Sequence, residues 1–333
     1  MSARKMDRWK VGQSIGGTFT ILAIVDDQGP DPVYVVWHHT GRCPMAVKRM
    51  RSAQRARHEA DTLLALAHPN IVRSYGIAEK TCVLMEFLEG PTLRHFMADE
   101  VGGRLKLSDA LRTGIHLAAA LDHIHSRGFL HLDVKPRNIA IVHGRPILFD
   151  FGIARPRQDW HKPRLLGTDP YMAPEQCRRQ PVSPATDVFA LGVTLFEALT
   201  GKPPFPDGTK RREFPQLTVA PRRVRELRSA VPQALDELID RCLAFEADNR
   251  PSLIELIAGL HRHIRGGPPM WPPGFSPLEA NAERSSARPG TGPAKTDSKG
   301  AGKHTSNALP RQQPRSRKLN AAAQKSKARE LVD

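Results

Sequence analysis

Residues 15 to 90 alternate between β-rich runs and one helical run. "FTILAIV" and "PVYVVWHH" carry the β-branched and aromatic residues of strands, and the turn-prone "DDQGPDP" separates them. "PMAVKRM" reads as a third strand. In "SAQRARHEADTLLALA" alanine and leucine recur at helical spacing, with charge on the other face. "IVRSYGIAE" and "TCVLMEFL" return to strand character. From about residue 92 the pattern turns helical. "LSDALRTGIHLAAALDHIHSRG" predicts a long amphipathic helix, and "ATDVFALGVTLFEALTG" is apolar nearly all round, which places it in the middle of a domain. "QALDELIDRCLAF" and "PSLIELIAGLHRHI" predict two more. The order predicts a short extension over 1–14, a small β-rich lobe over about 15–88, and a larger, mainly helical lobe over about 89–265.

After about Arg265 the pattern stops. Residues 266–333 are rich in Pro, Gly, Ser and charge, with almost nothing aliphatic to bury, and this predicts a disordered basic tail. Net charge is +16 over 333 residues. From Gly266 onward 12 Lys and Arg stand against 5 Asp and Glu, so the tail holds a surplus of 7 and the rest of the chain one of 9. The basicity is therefore shared. Weak, salt-dependent contact of the tail with polyanions is expected. Interleaved aromatics are missing from it, which argues against a dedicated nucleic-acid surface.

A hydrophobic fraction of 40% and a charged fraction of 25% fit an ordinary globular protein. No run of about 18 apolar residues exists, so membrane insertion is not expected. The basic start, "MSARKMDRWKVGQSIGG", lacks the apolar stretch of a signal peptide. Cys43, Cys82, Cys177 and Cys242 show no metal-ligand spacing and read as free thiols in a reducing, cytoplasmic setting.

The candidate chemistry begins with "HLDVKPRN", His131 to Asn138, which sets an aspartate, a lysine and an asparagine between two apolar runs. Loops between rigid elements are where catalytic side chains tend to sit, yet the octet alone reads equally well as a decorated surface loop. Its neighbours decide. Downstream, "ILFDFGIA" is a strand ending in Asp150-Phe151-Gly152, followed by "GTDPYMAPE"; upstream, "MAVK" puts a lysine on the third strand. This ordered set resembles the eukaryotic-type (Hanks-type) serine/threonine protein kinase family, and its wording points to a bacterial member. The resemblance runs from about Ile15 to Arg265.

The resemblance implies an α+β, two-lobed protein-kinase-like fold, with ATP and Mg2+ or Mn2+ as cofactors and proteins as substrates. A transferring phosphoryl group spreads negative charge over its oxygens, so the protein must hold cations and orient a hydroxyl. Lys48 is implied to contact the α- and β-phosphates, held by Glu59. Asp133 is implied to accept the substrate hydroxyl's proton, and Lys135 to steady the γ-phosphate. Asn138 and Asp150 are implied as magnesium ligands, and magnesium suits a few protein oxygens completed by phosphate and water. Met85, Glu86 and Leu88 are implied to line the lobe junction at the adenine, with Val25, Val33, Ala46 and Ala140 around the ring. Glu175 is implied to pair with Arg250, and Asp187 to brace the octet's backbone. Thr168 is implied to contact the catalytic aspartate.

Two positions depart from the family pattern. Counted back from Val33, the three places of the glycine-rich loop fall on Asp26, Gln28 and Asp31; only Gly29 remains in the turn, followed by Pro30, with Pro32 just before Val33. Acidic side chains near an anion, and prolines without an N–H, predict weak nucleotide affinity or a loop that needs a partner to settle. In the His-Arg-Asp motif, Leu132 replaces the arginine that would pair with a phosphorylated loop residue. Between Asp150 and Glu175 the only hydroxyl side chains are Thr168 and Tyr171. The loop is therefore expected to order without phosphorylation. A pseudokinase scaffold with weak nucleotide affinity is the alternative that the eroded loop supports.

Overall fold

A computed structural model describes residues 7–27, 29–162, 164–206 and 214–264. The first lobe is a six-stranded antiparallel sheet of β1 (Ser14–Ile15), β2 (Phe19–Asp26), β3 (Val33–His38), β4 (Cys43–Arg49), β5 (Ser74–Ala78) and β6 (Cys82–Glu86), ordered β1-β2-β3-β4-β6-β5. Helix α1 (Ala53–Ala65) lies between β4 and β5 in the chain. Ser52 caps it by accepting the Arg55 N–H, and Ala56, Glu59, Ala60 and Leu63 form its buried face.

Alternation along β4 decides what meets the cleft. Val47 joins Phe19, Ile21, Tyr34, Val36, Cys82 and Leu84 in a cluster on one side of the sheet. Ala46 and Lys48 therefore project from the other side. Trp9, which the pattern places in an extension, packs into that outer cluster with its ring 5.1 Å from Tyr34 and 5.7 Å from Phe19. The Arg49 guanidinium lies 4.5 Å above it.

The second lobe contains α2 (Leu93–Ala98), α3 (Leu107–Ser126), the short strands β7 (Phe129–Leu130), β8 (Ile139–Val142), β9 (Arg145–Leu148) and β10 (Arg155–Pro156), then α4 (Pro174–Cys177), α5 (Pro184–Thr200), α6 (Val224–Leu227), α7 (Gln233–Cys242) and α8 (Leu253–His261). β8 pairs with β9, and β7 with β10. Helix α5 buries every residue from Thr186 to Thr200, as its all-round apolar pattern predicts. α3 packs between α5 and α8. One continuous apolar core runs from Ala56 and Leu63 on α1, through Val83 and Met85 on β6, into α3, α5, α7 and α8.

Among the described residues no helix is long and apolar enough to cross a membrane. The basic segment 266–333 lies outside the described residues.

Candidate active site

β4 and α1 bring Lys48 and Glu59 together at the lobe boundary. The Lys48 ammonium donates to both Glu59 carboxylate oxygens at 2.9 Å and to Asp150 Oδ1 at 2.7 Å. Burial by itself would push the Lys48 pKa down, but Glu59 and Asp150 outweigh it and hold the pKa up, so the cation persists. Asp150 responds in mirror image: burial acts to raise its pKa, and Lys48 lowers it further than burial raises it. Gly152 lets these three groups converge. A Cβ there would lie 3.1 Å from Lys48 Nζ and 3.4 Å from oxygens of Asp150 and Glu59.

A second bonded group forms in the octet. Asp133 Oδ2 accepts from Lys135 Nζ at 2.6 Å and from Asn138 Nδ2 at 2.9 Å, while Oδ1 accepts from the Thr168 hydroxyl at 2.8 Å. Lys135 also reaches the Thr168 oxygen at 2.6 Å. The two groups are tied by one backbone bond, Phe149 N–H to Asn138 O at 2.9 Å, which sets Asn138 against the start of the Asp150 turn. With its amide nitrogen on Asp133, Asn138 keeps its side-chain oxygen for a cation, and Asp150 brings a carboxylate. Among the described residues no group of three or more His, Cys, Asp or Glu stands ready to hold a metal. An amide oxygen and a carboxylate oxygen suit magnesium, which takes most of its ligands from phosphate and water.

The octet is braced from α5. Asp187, fully buried, accepts the backbone N–H of His131 at 2.9 Å and of Leu132 at 2.7 Å. This supports Leu132 in a left-handed conformation, φ 67°, that a branched residue adopts only under constraint. His125 of α3 contacts the same carboxylate at 2.8 Å. His125 belongs to none of the motifs, so the sequence carries no local signal of this role. His131 accepts the Asp133 N–H at Nδ1 and faces Phe149 O through Nε2, which is the neutral tautomer. Burial lowers its pKa.

Leu132 packs with Leu130 and Val182, and Ile153 and Trp160 lie against them. The cluster joins the octet to the segment after Asp150. That segment is further held by β10 on β7, by Val182 N–H to Trp160 O at 2.9 Å, and by Gln176 Nε2 to Leu166 O at 2.9 Å. Gly167, at φ +124°, passes where a Cβ would sit 3.2 Å from Leu132 O. Glu175 takes a two-pronged bond from Arg250 at 2.8 and 2.9 Å.

The adenine-pocket candidates are spread over both lobes. Ala46 pairs with Met85 across β4 and β6; Met85 belongs to the main core, and Ala46 and Leu88 pack against it. Ala140 is buried on β8, Val33 stands opposite Lys48, and Val25 is exposed near the end of β2. Glu86 donates its N–H to Arg73 O and accepts the Arg73 N–H on its side chain.

Residues 32–261 match the protein kinase domain family. The chain belongs to the protein kinase family. It is 36% identical over 213 residues to "Serine/threonine-protein kinase PkaA" of Streptomyces coelicolor, covering 61% of this chain and 38% of that protein. It is 31% identical over 257 residues to "Serine/threonine-protein kinase PrkC" of Bacillus subtilis, covering 72% of this chain and 39% of that protein. This chain therefore spans about two fifths of the length of these curated relatives. In fold it resembles the crystal structure of the Mycobacterium tuberculosis PknI kinase domain, with a TM-score of 0.61 at 24% identity, covering 77% of this chain and 99% of that one. The two-lobed kinase fold expected from the motifs is the one present.

The buried acid–base groups make acid sensitivity a property of this fold. Below 6.5 the unfolded chain protonates His131, whereas the folded state holds it neutral, so stability falls as pH drops through that range. Glu175 adds to this lower down. Burial acts to raise its pKa, but Arg250 lowers it below the ordinary 4.5, and that contribution is lost as pH falls through the folded value. Urea unfolding free energies are expected to be lower at about pH 5.5 than at about pH 8, with Glu59, whose pKa burial raises, opposing the decline further down. A flat profile would contradict the assignment.

Proposed function

We propose that this chain is an active serine/threonine protein kinase that transfers the ATP γ-phosphate to hydroxyls of proteins, with Asp133 as the catalytic base. The observation that carries this reading is the Phe149–Asn138 backbone bond, because it joins the Asp133–Lys135–Asn138–Thr168 group to the Lys48–Glu59–Asp150 group in one frame. In this reading Lys48, held by Glu59, meets the α- and β-phosphates. Lys135 steadies the γ-phosphate, and its bond to Thr168 keeps it beside Asp133. Asn138 and Asp150 hold Mg2+ or Mn2+, which when bound supplies positive charge to the phosphate oxygens. Val25, Val33, Ala46, Met85, Glu86, Leu88 and Ala140 surround the adenine.

Asp133 is suited to orient a hydroxyl and take its proton because three donors fix its carboxylate, and a fixed acceptor needs little reorganisation during transfer. Leu132 supports a site that works without loop phosphorylation. An apolar cluster against Ile153 and Trp160 occupies the place of an arginine–phosphate pair, and burial orders the segment. Cytoplasmic location and weak polyanion contact through residues 266–333 complete the proposal.

The test is incubation of the full chain with γ-labelled ATP, magnesium and a general basic protein substrate. Phosphoserine or phosphothreonine is the expected product, formed at full rate while mass spectrometry finds residues 150–175 unphosphorylated. Activity that rises only after a phosphate appears on that segment contradicts the role given to Leu132. No label at millimolar ATP moves the reading to a pseudokinase scaffold, the alternative that the lost glycines favour.

A further inference from the structure

The turn between β2 and β3 stands where the family carries a flexible glycine-rich loop, and here side chains hold it. Asp31, at the third glycine place, has a side chain only 7% exposed. Its Oδ1 accepts the Arg51 backbone N–H at 3.2 Å, and its Oδ2 pairs with the Arg55 guanidinium at 3.0 Å. Arg51 returns a side-chain bond to Pro30 O at 3.2 Å. From the segment that docks Trp9, Arg8 donates to Gly29 O at 2.8 Å. Pro30 and Pro32 fix their own φ angles, which stiffens the turn further.

The partners of Asp31 are placed with consequence. Arg51 and Arg55 flank Ser52, the cap of α1, and Glu59 follows Arg55 by four residues, on the neighbouring turn of the same helix. One carboxylate thus fastens the turn to the helix that presents Glu59 to Lys48. The expectation that the acids of this turn would face an anion does not hold for Asp31, whose charge is met by Arg55 and a backbone N–H.

We propose that Asp31 is a positioning residue: through Arg51 and Arg55 it locks the β2–β3 turn to α1, so that the turn covers the phosphates of a nucleoside triphosphate only while Glu59 holds Lys48. This rests on the reading of the cleft as an ATP site. A fastened turn makes nucleotide binding and helix placement one cooperative unit, in which each favours the other by the same factor.

The experiment measures MgATP affinity by titration calorimetry and hydrogen exchange of residues 53–65 in the full chain. It compares the native protein with Asp31→Ala, Arg55→Ala, the swap Asp31→Arg with Arg55→Asp, and Glu59→Gln. Asp31→Ala is expected to weaken MgATP binding about 5- to 20-fold and to speed exchange at the start of α1. In kinetics its effect falls on KM for ATP more than on kcat. The swap is expected to recover part of the affinity, and combining Asp31→Ala with Glu59→Gln to cost less than the product of the two single losses. Unchanged affinity and α1 exchange in Asp31→Ala, or strictly multiplicative losses, overturn the proposal while leaving a normal kinase intact. Native protein that binds MgATP but transfers no phosphate sinks the kinase reading, and the Asp31 effects on binding still decide the tie. Absence of MgATP binding by the native chain overturns both.

Discussion

Asp133→Asn is expected to lower the rate of phosphate transfer by about 10²- to 10⁴-fold, the range typical of a lost general base. The substitution nearly preserves volume but alters the hydrogen-bond arithmetic. Oδ2 serves two donors, Lys135 and Asn138, so the new amide nitrogen is best placed at Oδ1, where the Thr168 hydroxyl must turn to accept. The frame survives and the base is gone. Lys48→Met should match that loss in rate for a different reason, since it removes the cation from between Glu59 and Asp150 and leaves two close carboxylates without their partner. Lys48→Met is therefore expected to lower the melting temperature as well, and Asp133→Asn to leave it nearly unchanged. Single-turnover rates beside thermal melts separate the two cases. Transfer by Asp133→Asn at more than a tenth of the native rate would remove Asp133 from the role of base.

Glu175→Ala is expected to cost about 3–5 kcal/mol of stability, the usual penalty for stranding one partner of a buried ion pair. The Arg250 side chain is 0% exposed, so water cannot replace the lost carboxylate. Its remaining bonds to the carbonyls of Ala244, Phe245 and Ala185 satisfy nitrogen donors without neutralising the charge. Glu175 also accepts the Thr186 hydroxyl at 2.7 Å, so the change loosens the start of α5, whose Asp187 braces the octet. Replacing both partners, Glu175→Leu with Arg250→Met, should cost less than Glu175→Ala alone, because no charge is then left buried. Urea denaturation followed by circular dichroism gives both numbers. A loss below about 1 kcal/mol for Glu175→Ala would mean that water reaches Arg250.

Much of the arrangement was legible in advance. Lys48, Glu59, Asp133, Lys135, Asn138, Asp150 and Thr168 all belong to short motifs whose residue types state their chemistry, and the structure brings them together. The helices were legible for a simpler reason. An all-apolar run such as α5 has only one place to go, and the alternation in β4 separates Val47 from Lys48 by period two. The roles of Leu132, His125, Asp31 and Trp9 were not legible. Leu132 read as the loss of an arginine, and only its neighbours Val182, Ile153 and Trp160 make it a packing centre. The motif pattern alone sets Asp31 near a phosphate, whereas Arg51 and Arg55, beside it in the fold, take up its carboxylate.

The sequence by itself determined which chemical groups are present, their order, and the elements that carry them, because propensity, periodicity and motif spacing are local properties of the chain. The tertiary structure alone decided who meets whom across long separations. Lys48 reaches Asp150 across 102 residues, and His125 reaches Asp187 across 62. Such pairings form when one apolar core draws both lobes together and buried polar groups must find partners, so no local pattern reports them.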